Sequence, residues 1–195
     1  MTAQENKQLR LEAVKVREGI VTATHGAKSG HPGGSLSAAA GMAKGAKFLG
    51  KDINVYSVLG DGELAEGQIW EATMFAAHYH LDNLCIIVDL NGLQIDGRTC
   101  DVMNTAPVDK KFEAFGCDVV TIDGHDFEQI EQAMARFHAN HGTGKPTAIL
   151  MKTTKGKGVS YMENQAGWHG KAPNDEEYAQ AMAELAAARK AIEEG

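Results

Sequence analysis

Four short apolar runs constrain the fold of this chain more than any other feature. They are Asn54 to Leu59, Leu84 to Val88, Asp118 to Ile122 and Thr147 to Met151, each too short for most helices. Gly60-Asp61-Gly62 stops the first, and the polar turn Asp89 to Gly92 stops the second. Helical spacing fills the intervals, over Glu63 to Tyr79, near Lys110 to Phe115 and over Phe127 to His138. Strands apolar on both faces that alternate with helices predict an α/β fold, a parallel sheet with helices on both faces. Further helices are expected over Gln8 to His25, over Leu36 to Leu49 with Ser35 or Ser37 as its cap, and from about Asp175 to Glu193. The stretch before the last helix is long for a plain connection, and long ordered loops usually carry function.

With 195 residues, 43% of them hydrophobic, the chain is long enough to bury one good core, so a single domain is the expectation. Nineteen Lys and Arg against 26 Asp and Glu give a formal net charge of −7, which argues against nucleic acid as a partner. No run of 18 apolar residues exists and the N-terminus opens polar and charged, so neither a membrane span nor an export signal is expected and the chain reads as cytoplasmic. Cys85, Cys100 and Cys117 lack CxxC spacing and read as reduced thiols. His78, His80, His138 and His141 form HxH or HxxH pairs without carboxylate support and read as structural.

Chemistry is expected at the strand ends. Open parallel sheets bind ligands at the C-terminal edge, and two such ends carry Asp or Asn within a glycine turn, Gly60-Asp61-Gly62 and Asp89-Leu90-Asn91-Gly92. The glycines let backbone N–H groups approach a phosphate, and the N-terminus of the helix that follows adds partial positive charge. Asp61 beside a bare diphosphate would be repelled by roughly 4 kcal/mol at about 4 Å and an effective dielectric near 20. A cation resolves that conflict: Mg²⁺ takes one or two protein oxygens together with phosphate oxygens, here from Asp61, the Asn91 side chain and a nearby carbonyl. The same glycines satisfy Gly60-x-Gly62-x-x-Ala65, a form of the dinucleotide fingerprint, but a dinucleotide pyrophosphate normally sits there without metal, leaving the acid at position 61 unexplained. Gly144-Lys145 is followed by Pro146 and makes no Walker loop.

Gly60-Asp61-Gly62 and Asn91, within GDGELAEGQIWEA and VDLNGLQIDG, resemble the thiamin-diphosphate motif of the transketolase family. SGHPGGSLSAA at Ser29 to Ala39, DGHD at Asp123 to Asp126, KTTKGKGVSYME at Lys152 to Glu163 and WHGKAP at Trp168 to Pro173 are similar to the rest of that family's N-terminal half, in order. The resemblance implies a single diphosphate-binding domain over 1–195, with the loop and helix of 153–195 as an extension. It implies that Asp61 and Asn91 ligate Mg²⁺, or Ca²⁺, by their side chains and Leu93 by its carbonyl. Gly62 N–H would hold the diphosphate of thiamin diphosphate, with Gly60 and Glu63 in the same cofactor-binding turn. His31 and His169 match active-site histidines, His169 also reaching the diphosphate, and Glu66 and Glu71 match acidic residues that connect two active sites across a subunit interface. Lys155 and Lys157 either solvate their loop or meet substrate phosphate.

The implied reaction moves a two-carbon ketol unit from a ketose phosphate to an aldose phosphate, as in the pentose phosphate pathway. The chain stops before the pyrimidine-binding and C-terminal domains, which resembles the N-terminal subunit of a split transketolase. The implied partner is a separate C-terminal, pyrimidine-binding subunit that supplies the glutamate activating the cofactor, in a homodimer of this chain within a heterotetramer. Alternatives are a two-subunit ketol transferase for sulfo or branched sugars, and a catalytically defective truncated copy acting only as a binding partner. The last arises because the family carries several dozen further residues between the segments here represented by SGHPGGSLSAA and GMAKGAK, where Ala40 runs directly into Gly41.

Overall fold

In the computed structural model, which describes residues 1–27 and 36–194, the chain divides into two compact units. The first comprises 36–94 and 98–153. It runs α2 (Leu36–Phe48), β1 (Val55–Gly60), a 3-10 turn (Glu63–Ala65), α3 (Gly67–His78) and β2 (Leu84–Leu90). Two short strands, β3 (Leu93–Gln94) and β4 (Gly97–Arg98), lead to α4 (Thr99–Val102), α5 (Val108–Ala114), β5 (Asp118–Asp123), α6 (Phe127–Ala139) and β6 (Thr147–Lys152). The second unit, 1–27, 95–97 and 154–194, holds α1 (Ala3–Ala27), a 3-10 turn (Ala166–Trp168) and α7 (Asp175–Glu194).

The four-stranded sheet of the first unit has the order β1-β2-β6-β5 and every pairing is parallel, as the alternation of strands and helices predicts. Alternate residues of its strands feed two cores. Val55, Leu59, Leu84, Ile86, Val88, Ala148 and Leu150 pack with α2, α3 and Phe112 of α5. Cys85, Ile122 and Ile149 face the other way, onto Ala133 and Phe137 of α6. At the edge, Tyr56 and Val58 on β1 stay 44% and 61% exposed, so α6 covers that strand only in part, through Phe137 against Tyr56. Burial pushes the thiols of Cys85 and Cys117 up to about 12, which keeps them protonated and unreactive.

Local chemistry sets the helix ends. The Asp126 carboxylate accepts from the N–H groups of Glu128 and Gln129 at 2.9 and 3.3 Å and starts α6. Thr2 and Glu5 form a reciprocal capping box at the start of α1, 2.6 and 3.2 Å, which carries that helix further toward the N-terminus than the expected Gln8. Ser37 is inside α2, where its hydroxyl donates to Gln68 Oε1, so it is no cap; Ser35 lies outside the described residues. Ala40 and Gly41 occupy consecutive positions of the same uninterrupted α2, whose buried residues Leu36, Ala39, Ala40, Ala43 and Ala46 keep helical spacing across that point. In the second unit α1 and α7 bury Val14, Val21, Ala181 and Leu185 around Val159.

Asp82 ties the α6–β6 loop to the sheet. Its carboxylate pairs with Lys47 and accepts from the N–H groups of Gly142 and Gly144, 2.8 and 3.1 Å. Burial raises its carboxyl, but Lys47 and the two N–H groups outweigh that and hold it below the usual carboxylate range. A carboxyl lowered in the folded chain adds stability above its unfolded value near 3.8, and loses it as pH falls through the lower folded value. Asp82→Ala is expected to cost about 2–4 kcal/mol at neutral pH, and its deficit relative to the wild type should shrink in urea titrations taken below pH of about 3.8. An unchanged deficit across pH would show that the loss comes from packing.

Candidate active site

The C-terminal edge of the sheet brings Gly60-Asp61-Gly62 and the Asp89–Gly92 turn together. Gly60, the last residue of β1, is in register with Asp89 of β2, which places Asp61 and the turn after β2 side by side. The N–H of Asp61 donates to the Asp89 carbonyl at 3.2 Å. Gly92 N–H donates to Asp61 Oδ2 at 2.6 Å, so the two glycine turns, 31 residues apart, close on one carboxylate. Asp61 is 4% exposed, and its second oxygen, Oδ1, is buried with no hydrogen-bond partner among the described residues. Burial pushes its carboxyl above the usual carboxylate range, only partly offset by the Gly92 N–H, and the neighbouring Asp89 charge adds to the rise.

Asn91 is fixed at both ends of its amide: Nδ2 donates to Asp89 Oδ2 at 3.0 Å, and Oδ1 accepts from Leu93 N–H at 3.0 Å. The Thr153 hydroxyl, just past β6, donates to Asp89 Oδ1. Gly60 N–H donates to Glu63 Oε2 at 3.3 Å. Gly62 has no room for a side chain: a Cβ there would meet Gln94 Cβ at 2.8 Å, so its backbone lies against the turn that follows β2.

One expectation is corrected. A helix does not run from Glu63 directly out of the glycine turn. Glu63–Ala65 is a 3-10 turn, Glu66 is extended (φ −78°, ψ 129°), and α3 begins only at Gly67. The helix N-terminus is therefore displaced from Gly60-Asp61-Gly62, so an anion at that turn would meet the turn's own N–H groups rather than the helix end. Glu66 and Glu71 are exposed around the start of α3, Glu66 accepting from Gln68 Nε2 at 3.1 Å. His169 belongs to the second unit, where it ends the Ala166–Trp168 turn and its N–H donates to the Ala166 carbonyl at 2.8 Å. Beside it, Trp168 packs against Tyr161 and under the Lys171 ammonium, which lies 4.0 Å from the ring centre. Lys157 pairs with Glu163 at 3.6 Å. His31 lies outside the described residues.

Among the described residues no three His, Cys, Asp or Glu side chains cluster to hold a metal on their own. A hard cation at Asp61 would thus rely on a mixed set of oxygens, part protein and part ligand phosphate. That is how Mg²⁺ is usually held, and a buried carboxylate oxygen with no donor among the described residues fits it. Sequence reasoning missed Thr153 and Gly124 as parts of this edge. Their signal was position, since each directly follows a strand of the sheet.

A parallel α/β domain with this strand-edge constellation defines a cofactor-binding class, and comparison with known proteins specifies it. Residues 40–191 match the family model described as "Transketolase, thiamine diphosphate binding domain". The chain belongs to the transketolase thiamine diphosphate-binding domain family. It is 43% identical over 157 residues to an apulose-4-phosphate transketolase subunit of Actinobacillus succinogenes, covering 80% of this chain and 56% of that protein. It is 41% identical to a 6-deoxy-6-sulfo-D-fructose transketolase subunit of a Clostridium species, with the same coverage. The crystal structure of transketolase from Campylobacter jejuni is similar with a TM-score of 0.71 at 30% identity, over 80% of this chain and 27% of that one. The chain spans about half the length of the subunit relatives it matches. No described helix is long and apolar enough to cross a membrane.

Proposed function

We propose that this chain is the diphosphate- and cation-holding half of a cytoplasmic two-chain transketolase, acting on sugar phosphates with a separate C-terminal, pyrimidine-binding subunit. The observation that carries the reading is the buried Asp61 carboxylate, gripped by Gly92 N–H on one oxygen and without a partner among the described residues on the other, beside Asn91. Thiamin diphosphate, when bound, supplies the electron sink for breaking a carbon–carbon bond. Asp61 and Asn91 by their side chains and Leu93 by its carbonyl hold Mg²⁺, or Ca²⁺, against the diphosphate. Gly62 N–H binds the diphosphate, with Gly60 and Glu63 shaping the same turn. His31 and His169 contact substrate hydroxyls and move protons near neutral pH. Glu66 and Glu71, exposed at the start of α3, meet a second copy of the chain in a homodimer that carries two partner subunits.

The purified chain alone is expected to give no steady turnover of xylulose 5-phosphate with ribose 5-phosphate, and to gain activity when the C-terminal half of a split transketolase is added. Turnover by the chain alone would overturn the two-chain reading. A second reading of the substrate is favoured by the relatives named for apulose 4-phosphate and 6-deoxy-6-sulfo-D-fructose. On that reading the reconstituted pair prefers a branched or sulfonated sugar in a substrate-profile assay.

A further inference from the structure

All four strands end at the same edge of the sheet as the candidate site, and the ends of β1, β2 and β6 are joined by contacts around Asp89. Asp89 sits between them. Its Oδ2 accepts from Asn91 Nδ2 at 3.0 Å, its Oδ1 accepts from the Thr153 hydroxyl, and its carbonyl accepts from Asp61 N–H at 3.2 Å. Thr153 is itself confined. Its N–H donates to the Leu90 carbonyl at 3.4 Å, and Gly124, after β5, lies so close that a Cβ there would stand 2.5 Å from Thr153 Cγ2.

An asparagine amide has one acceptor end and one donor pair, so its orientation decides whether oxygen or NH₂ points at a neighbour. We infer that Asp89, braced by Thr153 in the space that Gly124 leaves, is a positioning residue that fixes the Asn91 amide with its oxygen available to a divalent cation. The inference rests on the cation reading of Asp61 and Asn91. Asp89 can accept only from the NH₂ end of Asn91, which excludes the flipped amide. In that orientation Asn91 Oδ1 accepts from Leu93 N–H and keeps its second lone pair free for a cation. Partners of this kind, one bond removed from a metal, typically set affinity by about 10–100-fold.

The role is one of hydrogen-bond polarity rather than charge, and this makes it separable. In Asp89→Asn the new amide oxygen still accepts from Asn91 while its NH₂ donates to the Thr153 hydroxyl oxygen, so the orientation survives. Asp89→Leu removes the acceptor, and Thr153→Val removes the brace while keeping the shape of the side chain.

The test is a Mn²⁺ titration of the full chain with thiamin diphosphate present, following free Mn²⁺ by electron paramagnetic resonance. Mn²⁺ affinity should fall about 10-fold or more in Asp89→Leu and in Thr153→Val, and stay within about threefold in Asp89→Asn and Thr153→Ser. Saturating Mn²⁺ should restore thiamin diphosphate retention to the two weakened variants. Equal loss in Asp89→Asn and Asp89→Leu would show that Asp89 acts by its charge and would overturn the inference. An unchanged affinity in Thr153→Val also overturns it, and that isosteric variant keeps the test decisive should Asp89→Leu not fold. If the wild-type chain takes up no Mn²⁺ in a cofactor-dependent way, the cation reading itself fails and the positioning role falls with it.

Discussion

Asp61→Asn is expected to abolish cation-dependent binding of thiamin diphosphate while leaving the cofactor-free chain as stable as the wild type, or more so. The two effects share one cause. Asn keeps an oxygen to accept from Gly92 N–H, so the closure of the two glycine turns survives. It removes a charge whose second oxygen is buried without a partner among the described residues, an arrangement that costs stability unless something positive is bound there. In the loaded chain the same change leaves the diphosphate without the counter-charge that the cation carries. Asp61 would be a direct ligand, so the loss should exceed the about 100-fold that marks the upper end for residues acting one bond away. Equilibrium dialysis of the cofactor with Mg²⁺, paired with thermal melts, reads both effects. A variant that melts well below the wild type would show that Asp61 serves the fold instead.

The second large effect concerns stability alone. Phe137 on α6 is fully buried and packs edge-on to Tyr56 of β1, with ring centroids 5.4 Å apart, and against His141 at 5.3 Å. It is the largest side chain in the core on that face of the sheet. Phe137→Ala should cost about 3–5 kcal/mol, the sum of lost burial and the cavity left behind. Urea unfolding would show this as a lower midpoint with an unchanged slope, and a cost below about 1 kcal/mol would mean that α6 repacks freely over the sheet.

Much of the first unit was legible in the sequence because parallel strands buried on both faces must be nearly continuous apolar runs. Leu84–Leu90 and Thr147–Lys152 are cases of this. The start of α3 was not, because Glu63 to Tyr79 has unbroken helical spacing. The break at Glu66 comes four residues after Gly62, whose backbone lies against Gln94, a contact that no spacing along the chain displays. The N-terminal extent of α1 was written in the sequence as Thr2 and Glu5, a capping box outside the apolar periodicity.

The pairing of Asp61 with the Asn91 turn could be reasoned from charge, since an acid in a phosphate-sized glycine turn demands a cation. The link from Asn91 through Asp89 to Thr153 could not, because it depends on β6 lying next to β2 in the sheet, and no spacing along the chain encodes that order. His169 rests on resemblance, since nothing in the local spacing of WHGKAP distinguishes an active-site histidine from a loop histidine.

This chain is expected to hold thiamin diphosphate through a cation at Asp61. Equilibrium dialysis of the wild-type chain against thiamin diphosphate at millimolar concentration, with Mg²⁺ or with EDTA, tests it most directly. The expected result is saturable binding with Mg²⁺ that is lost with EDTA and is not displaced by NADH. Binding that is indifferent to EDTA, or retention of NADH in place of thiamin diphosphate, would contradict it.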